Sequence, residues 1–425
     1  MAKSPLAGHL KCVIAVVLAA VLASVGTWAV MAQSAPGAAG GPVVGKLKAA
    51  WIYVGPIADI GWTHAHDQGR LYVDQKFDWL VTHYVESVKP QDCPAIIDQL
   101  VEAGYTLIFT TSYDFKEATL EAAEKYPNII FFHCSGEERR RNVGTYFAEF
   151  YQLYYLNGLM AGALTRTGKA AYVAAKPIPE VIRHINAFAI GFAEVAMQRY
   201  ERGELPNPPV VYVDWLFEWY NPPKAKQMAE TFITQYGCDV IAFTEDSTAV
   251  VEACEDYYVK YTHGEWPWPV YTFAHYSPML DHGPDVVVSG QLVHWEVIYE
   301  DIVMKVALGV YTPENLENVD YWWMLREGAV ELGCDYGVPI NPEFEDDLRA
   351  VTVTDKLTGQ SMSVYDLVML RLAQMSEEVP TFDPFTGPLY DQNGNLRVPE
   401  GVRLGHDDLW TMMWFVEWVV GTIPS

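Results

Sequence analysis

The sequence predicts an α/β protein built as two lobes, each a parallel sheet covered by helices on both faces. Three observations carry that prediction. Apolar strand-like runs alternate with segments of helical periodicity through most of the chain. The alternation comes in two consecutive series of similar size. The third is the stretch Val54-Gly-Pro-Ile-Ala-Asp-Ile-Gly-Trp-Thr-His-Ala-His-Asp-Gln-Gly-Arg70, which sits where a first strand hands over to a first helix. In open parallel sheets, ligands bind at such junctions.

In order, residues 49–54 are an apolar strand, 62–77 a helix and 79–86 a strand. Asp92 caps a helix whose Ile96, Ile97, Leu100 and Val101 share a face, and Gly104 ends it. Residues 106–111 are strand, Asp114 caps a helix running through Tyr126, and 128–133 are strand. A long helix at about 147–165 opens the second series. Residues 170–175, 210–214 and 239–244 are its first strands, each followed by a helix (180–200, 223–236 closed by Gly237, and 248–261). Residues 270–274 and 286–289 are further strands, and 294–308 a helix. The last part is less regular: 329–332 reads as strand, 343–349 as helix and 406–420 as a terminal helix docking onto a lobe. Between them, Asn393-Gly394 is a hairpin turn. The natural ligand site is the cleft between the lobes, where both sheets present the carboxyl ends of their strands.

Half of the 425 residues are apolar, enough for two cores. The formal net charge of −26 repels phosphate backbones and anionic lipid, so no nucleic acid partner is expected. The one basic run, Arg139-Arg140-Arg141, reads as a solvated loop. Lys3 and Lys11 precede an apolar run and Val30-Met31-Ala32, the pattern of a secretory signal peptide cleaved after Ala32. An uncleaved anchor is the alternative. Cys12 precedes the apolar run and makes no lipid-attachment motif, so an exported, periplasmic protein is expected. Residues 33–45 read as a flexible Ala/Gly/Pro-rich leader. Five later cysteines are scattered without Cys-x-x-Cys; a Cys238–Cys254 disulfide and free buried thiols are equal alternatives.

No dinucleotide fingerprint, phosphate loop, nucleophile elbow or His-Glu-x-x-His is present. His64-Ala-His66-Asp67 supplies too few ligands for a metal, and Glu245-Asp246 alone does not make a glycosidase. No cofactor, metal or enzymatic activity is therefore expected.

These residues resemble the basic membrane protein (BMP) family of ABC-transporter substrate-binding proteins, whose members capture purine nucleosides or nucleobases. Besides Val54–Arg70, the likeness extends to Asn142-Val-Gly-Thr-Tyr-Phe147, Tyr154-Tyr-Leu-Asn-Gly158 and Ala174-Ala-Lys-Pro-Ile-Pro-Glu-Val-Ile-Arg183. It continues through Ile185-Asn-Ala-Phe188, Glu218-Trp-Tyr-Asn-Pro-Pro223, Thr244-Glu-Asp-Ser247, Pro384-Phe-Thr-Gly-Pro388 and Asp391-Gln-Asn-Gly394. The resemblance implies the type I periplasmic-binding-protein fold, two doubly wound lobes joined by three crossovers. Residues 46–147 with about 287–325 would form lobe I, and 148–286 with about 326–425 lobe II.

The resemblance also implies a purine-like ring stacked between Trp62 and Trp219 from opposite lobes, the bland alternative for Trp62 being packing under the first helix. His66 and Asp67 would hydrogen-bond ring heteroatoms, although Asp67 could equally stabilise the helix start. Ser112 and Tyr113 would line lobe I. Asp246 would face the cleft from lobe II, or cap the next helix. Where the family often has Tyr-Asp-Ser-Asp-Met, this chain has His275-Tyr-Ser-Pro-Met279. Both acids able to hold a ribose are missing, which favours a nucleobase over a nucleoside. Val293-His-Trp-Glu296 stands in for a Trp-Asn-Trp-like element, making His294 and Trp295 further candidate contacts. The expected function is capture of a nucleobase-like ligand and its delivery to an ABC permease. A purine nucleoside-binding protein, an extracellular sensor and, least, a nucleoside hydrolase are the alternatives.

Overall fold

The computed structural model describes residues 45–424; the predicted signal peptide and nearly all of the leader lie outside the described residues. The fold is the predicted two-lobed α/β arrangement. In the first lobe, β1 (Leu47–Ile52), β2 (Leu80–Val85), β3 (Leu107–Thr110), β4 (Ile130–Cys134) and β5 (Val143–Ala148) are joined by α1 (Trp62–Lys76), α2 (Cys93–Glu102) and α3 (Lys116–Lys125). A late strand, β11 (Asp320–Trp323), completes a sheet of order β11-β5-β4-β3-β1-β2, parallel throughout. Its central strands are apolar on both faces because helices cover both.

The second lobe opens with α4 (Tyr151–Leu164) and α5 (Pro179–Glu201) flanking β6 (Lys169–Ala174). These helices pack backbone to backbone. A Cβ on Gly158 would stand 2.2 Å from the Phe188 carbonyl, and one on Gly191 2.1 Å from that of Tyr155. Then come β7 (Val210–Trp215), α6 (Pro222–Thr231), β8 (Val240–Phe243), α7 (Ala249–Thr262), β9 (Tyr271–Tyr276) and β10 (Val287–Val293). With β12 (Val330–Leu332) and β13 (Val419–Val420) they make a sheet of order β12-β10-β9-β8-β6-β7-β13, parallel except for the β10–β12 pair. Between the sheets α8 (Trp295–Ala307) returns to the first lobe and packs on α1. The chain thus crosses between lobes three times: after β5, between β10 and α8, and between β11 and β12.

Several expectations need correction. Val287–Val293 pairs with β9 in the second sheet, so the return to lobe I begins at His294 rather than at residue 287. Val143–Ala148 is a strand, and the long helix begins only at Tyr151. The predicted helix at 406–420 shrinks to α11 (His406–Trp410), which follows α9 (Glu345–Ala350) and α10 (Val364–Ser376). Beyond it the backbone is claimed by tertiary partners: Val416 N–H donates to Asn186, Trp414 carbonyl accepts from Asn186, and Val211 N–H donates to the Trp418 carbonyl. Those bonds outweigh the local helical spacing of Met412, Phe415, Val416 and Val419, all of which are buried. Cys238 and Cys254 are unbonded buried thiols, as are Cys93, Cys134 and Cys334. Among the described residues, no helix is long and apolar enough to cross a membrane.

Candidate functional site

The loop from β1 to α1 is organised by Asp59. Its Oδ1 accepts the N–H groups of Gly61 (2.8 Å) and His64 (2.9 Å), and its Oδ2 accepts that of Thr63 (3.0 Å). Asp59 therefore satisfies the free donors of the α1 terminus. The turn brings Gly61 against the other lobe: a Cβ there would stand 3.0 Å from the Asp246 Cα. The two lobes are in direct contact at this point, and a side chain on residue 61 would press on the Asp246 backbone.

Beside that contact lies a narrow cleft lined by Val54, Trp62, Ser112, Tyr113, Ser135, Glu180, Trp219 and Asp246. Each residue follows the carboxyl end of a strand: β1, β3 and β4 from the first lobe, and β6, β7 and β8 from the second. Backbone strain concentrates on the same rim. Ile60, Ser87, Ser135, Phe217 and Tyr276 have φ between 56° and 65° without being glycine. Four of them sit at or just beyond a strand's carboxyl end, and Ile60 lies in the loop from β1 to α1. Such conformations cost of order 1–3 kcal/mol apiece and cluster where a site must be held in shape.

Trp62 is fixed by its Nε1, which donates to the Thr111 carbonyl (2.6 Å), and by an edge contact with Tyr276 across the lobes, centroids 5.0 Å apart. Trp219 is half-buried, and its Nε1 donates to Asp114 Oδ2 (3.1 Å). Lys176 donates to the same carboxylate oxygen and stands 5.4 Å from the Trp219 ring centroid. Asp114 belongs to the first lobe and the other two to the second, so this trio clasps the lobes together. It lies on the wall of an open outer vestibule that also exposes Phe217 and Tyr220.

The second-lobe wall is acidic. Asp246 is buried with Oδ1 lacking a partner, and burial pushes its carboxyl well up, helped by Asp59, Glu245 and Glu180. Burial likewise pushes Glu245 up to about 8, against a hydrogen bond from Ser247. Glu180 is raised to about 7 by burial, opposed by Arg183 and Ser135. Next to this wall is the first crossover, where Glu149 is fully buried. Arg183 Nε donates to it (2.7 Å) and His184 Nε2 meets it at 2.9 Å. Despite its burial, those partners bring Glu149 down to about 2. Its N–H donates to the Trp323 carbonyl, tying the first crossover to the third.

Of the nine residues singled out from sequence, Trp62, Ser112, Tyr113, Trp219 and Asp246 meet at this cleft. His66, Asp67, His294 and Trp295 do not. His66 is stacked on Trp295 (4.1 Å between centroids) inside the first lobe, its Nδ1 2.5 Å from Tyr299 Oη, and burial lowers its pKa well below the usual histidine value. Asp67 pairs with Arg70 (2.7 Å) and accepts from Tyr53 (3.1 Å). His294 sits in the second crossover between Glu296 and Glu331, each 2.7 Å away. His275, at the position of the family's tyrosine, also faces inward, toward Tyr154 (3.0 Å) and Gln291 (2.9 Å). Sequence reasoning missed Asp59, Ser135 and Glu180. Position directly after a strand was the available signal for Ser135, and the first turn after β6 for Glu180.

Comparison with known proteins agrees with the fold. The family model "Bmp: ABC transporter substrate-binding protein PnrA-like" matches residues 46–365. A Haloferax volcanii relative provisionally named an ABC transporter glucose-binding protein is 33% identical over 73% of this chain and 73% of its own length. The "Purine-binding protein BAB2_0673" of Brucella abortus is 29% identical over 89% of this chain and 95% of its own. A solved ABC transporter solute-binding protein from Aeropyrum pernix superposes with a TM-score of 0.57 at 17% identity, covering 77% of this chain and 86% of that one, which speaks to the fold.

Proposed function

The chain belongs to the Bmp family of ABC-transporter substrate-binding proteins, and from that premise we propose that it captures a purine nucleobase-like ligand between its lobes and delivers it to a membrane permease. The observation that carries the ligand class is that indoles from separate lobes, Trp62 and Trp219, line one narrow cleft. A planar ring held there gains roughly 0.5–1.5 kcal/mol per aromatic pair beyond area burial. The lack of acids in His275-Tyr-Ser-Pro-Met279 supports a base rather than a nucleoside. Ser112, Tyr113 and Asp246 are the proposed polar contacts. Closure of the lobes would bury the ring and complete those contacts; no covalent step is part of the proposal. The signal-peptide pattern supports an exported protein, and presentation to a sensor is an alternative use of the same closure.

A sugar is the second reading. It is favoured by the 33% identity to the relative named for glucose and by carboxylates beside an indole, which also suit hydroxyls. A thermal-shift screen separates the two. A ligand at a hundredfold its Kd adds about 2.7 kcal/mol of stability. Adenine, guanine, hypoxanthine or xanthine should raise the melting temperature. If none of them does and glucose does, the nucleobase reading is wrong.

A further inference from the structure

Glu180 lies in the first turn of α5, 5% exposed, and lines both the cleft and the adjoining hollow bounded by Tyr113, Ser135, Arg183 and Trp410. Its Oε2 is buried with no hydrogen-bond partner. The obvious internal partner is spoken for: Arg183, three residues on, turns its Nε to Glu149. The indole donors of the wall are spent as well, Trp62 on the Thr111 carbonyl and Trp219 on Asp114. Asp246 adds a second buried oxygen without a partner. A buried acceptor left unmet is costly, and more so when charged. Two carboxylate oxygens on one wall are thus left open, and a ligand that brings N–H groups could meet them.

We propose that Glu180 reads the ligand: its carboxylate accepts a hydrogen bond from a donor that the ligand brings, in a base the exocyclic amine. This rests on the solute-binding reading and deepens it, because it makes amine-bearing bases the preferred class. Burial, with Glu149 and Asp114 nearby, raises the carboxyl to about 7 against Arg183 and Ser135. A ligand donor would favour its ionised form.

The test is calorimetric titration of wild type, Glu180→Gln and Glu180→Asp with guanine and hypoxanthine, which differ by one amine, and with glucose. Wild type should prefer guanine, and both variants should lose at least tenfold in guanine affinity while hypoxanthine changes less. The ligand-free melting temperature of Glu180→Gln should not fall, since an unmet charge is removed. Guanine affinity within twofold of wild type in both variants would overturn the role of Glu180 and leave the nucleobase reading standing. If no base binds but glucose does, the nucleobase reading falls, and Glu180 stands only if the variants lose tenfold in glucose affinity. A wild type that binds none of the three overturns both.

Discussion

Two buried glutamates on either side of Arg183 differ in kind. Glu149, at the crossover, is wholly buried yet held down to about 2 by Arg183 and His184. Glu180, at the cleft, is almost as buried yet raised to about 7, with one oxygen unmet. The arginine has been given to the hinge and withheld from the cleft. A carboxylate whose hydrogen bonds are complete is part of the frame; one left incomplete is waiting for something from outside. The same contrast separates Asp67, tied to Arg70 and Tyr53, from Asp246, whose Oδ1 has no partner.

Removing Glu149 is the largest predicted effect. Glu149→Ala strands Arg183 in the interior, and breaking a buried pair in this way costs about 3–5 kcal/mol. Denaturant unfolding of the ligand-free protein should register that loss, whereas Glu180→Gln should register almost none. The pH dependence follows the same line. The folded-state value of about 2 lies below the ordinary 4.5, so the Glu149 contribution is present above about pH 4.5 and fades as the pH falls toward 2. Glu149→Ala should lack that part of the acid slope. Equal losses in the two variants would mean that the glutamates do not differ as argued.

The contrast also marks what could be read from sequence. The central strands β1, β3, β6 and β8 were legible because a sheet covered on both faces is apolar without interruption. β5 was not, since Gly144 and Thr145 break its apolar run and Tyr-Phe-Ala continues smoothly toward a helix. At the site, the family resemblance pointed to Trp62, Ser112, Tyr113, Trp219 and Asp246, and the fold brings these five to one cleft. Depth was not predictable. His66 is one helical turn from Trp62 on α1, but what it meets is Trp295 of α8, brought in by the second crossover. Glu180 was hidden for the opposite reason: an acid in a first turn ordinarily complements the helix dipole, and only the commitment of Arg183 to Glu149 reveals it as unmet.

The two indoles permit a sharper version of the comparison. Trp62 is part of the frame as well as the cleft, being 6% exposed with edge contacts to His66, Tyr276 and Trp295. Trp219 stands on a loop at the rim. Trp219→Ala should weaken ligand binding by about 1–3 kcal/mol, the worth of stacking a base on an aromatic side chain, and leave the ligand-free melting temperature nearly unchanged. Calorimetry that finds unaltered affinity removes Trp219 from the site.

The smallest effect belongs to the clasp. Lys176 and Trp219 share one oxygen of Asp114 across the mouth of the cleft, so the contact exists only while the lobes are together. A partly exposed ion pair of this kind contributes about 1 kcal/mol or less. Lys176→Met should leave folding intact and act on the closed state alone: ligand dissociation, followed by stopped-flow tryptophan fluorescence, should quicken a few-fold. Added salt should quicken wild type in the same direction by screening the pair, and should do so less in the variant. If the dissociation rate and its salt dependence are the same in both proteins, Asp114 and Lys176 merely meet at the rim, and the incomplete acids of the second lobe are left to hold the ligand without a latch.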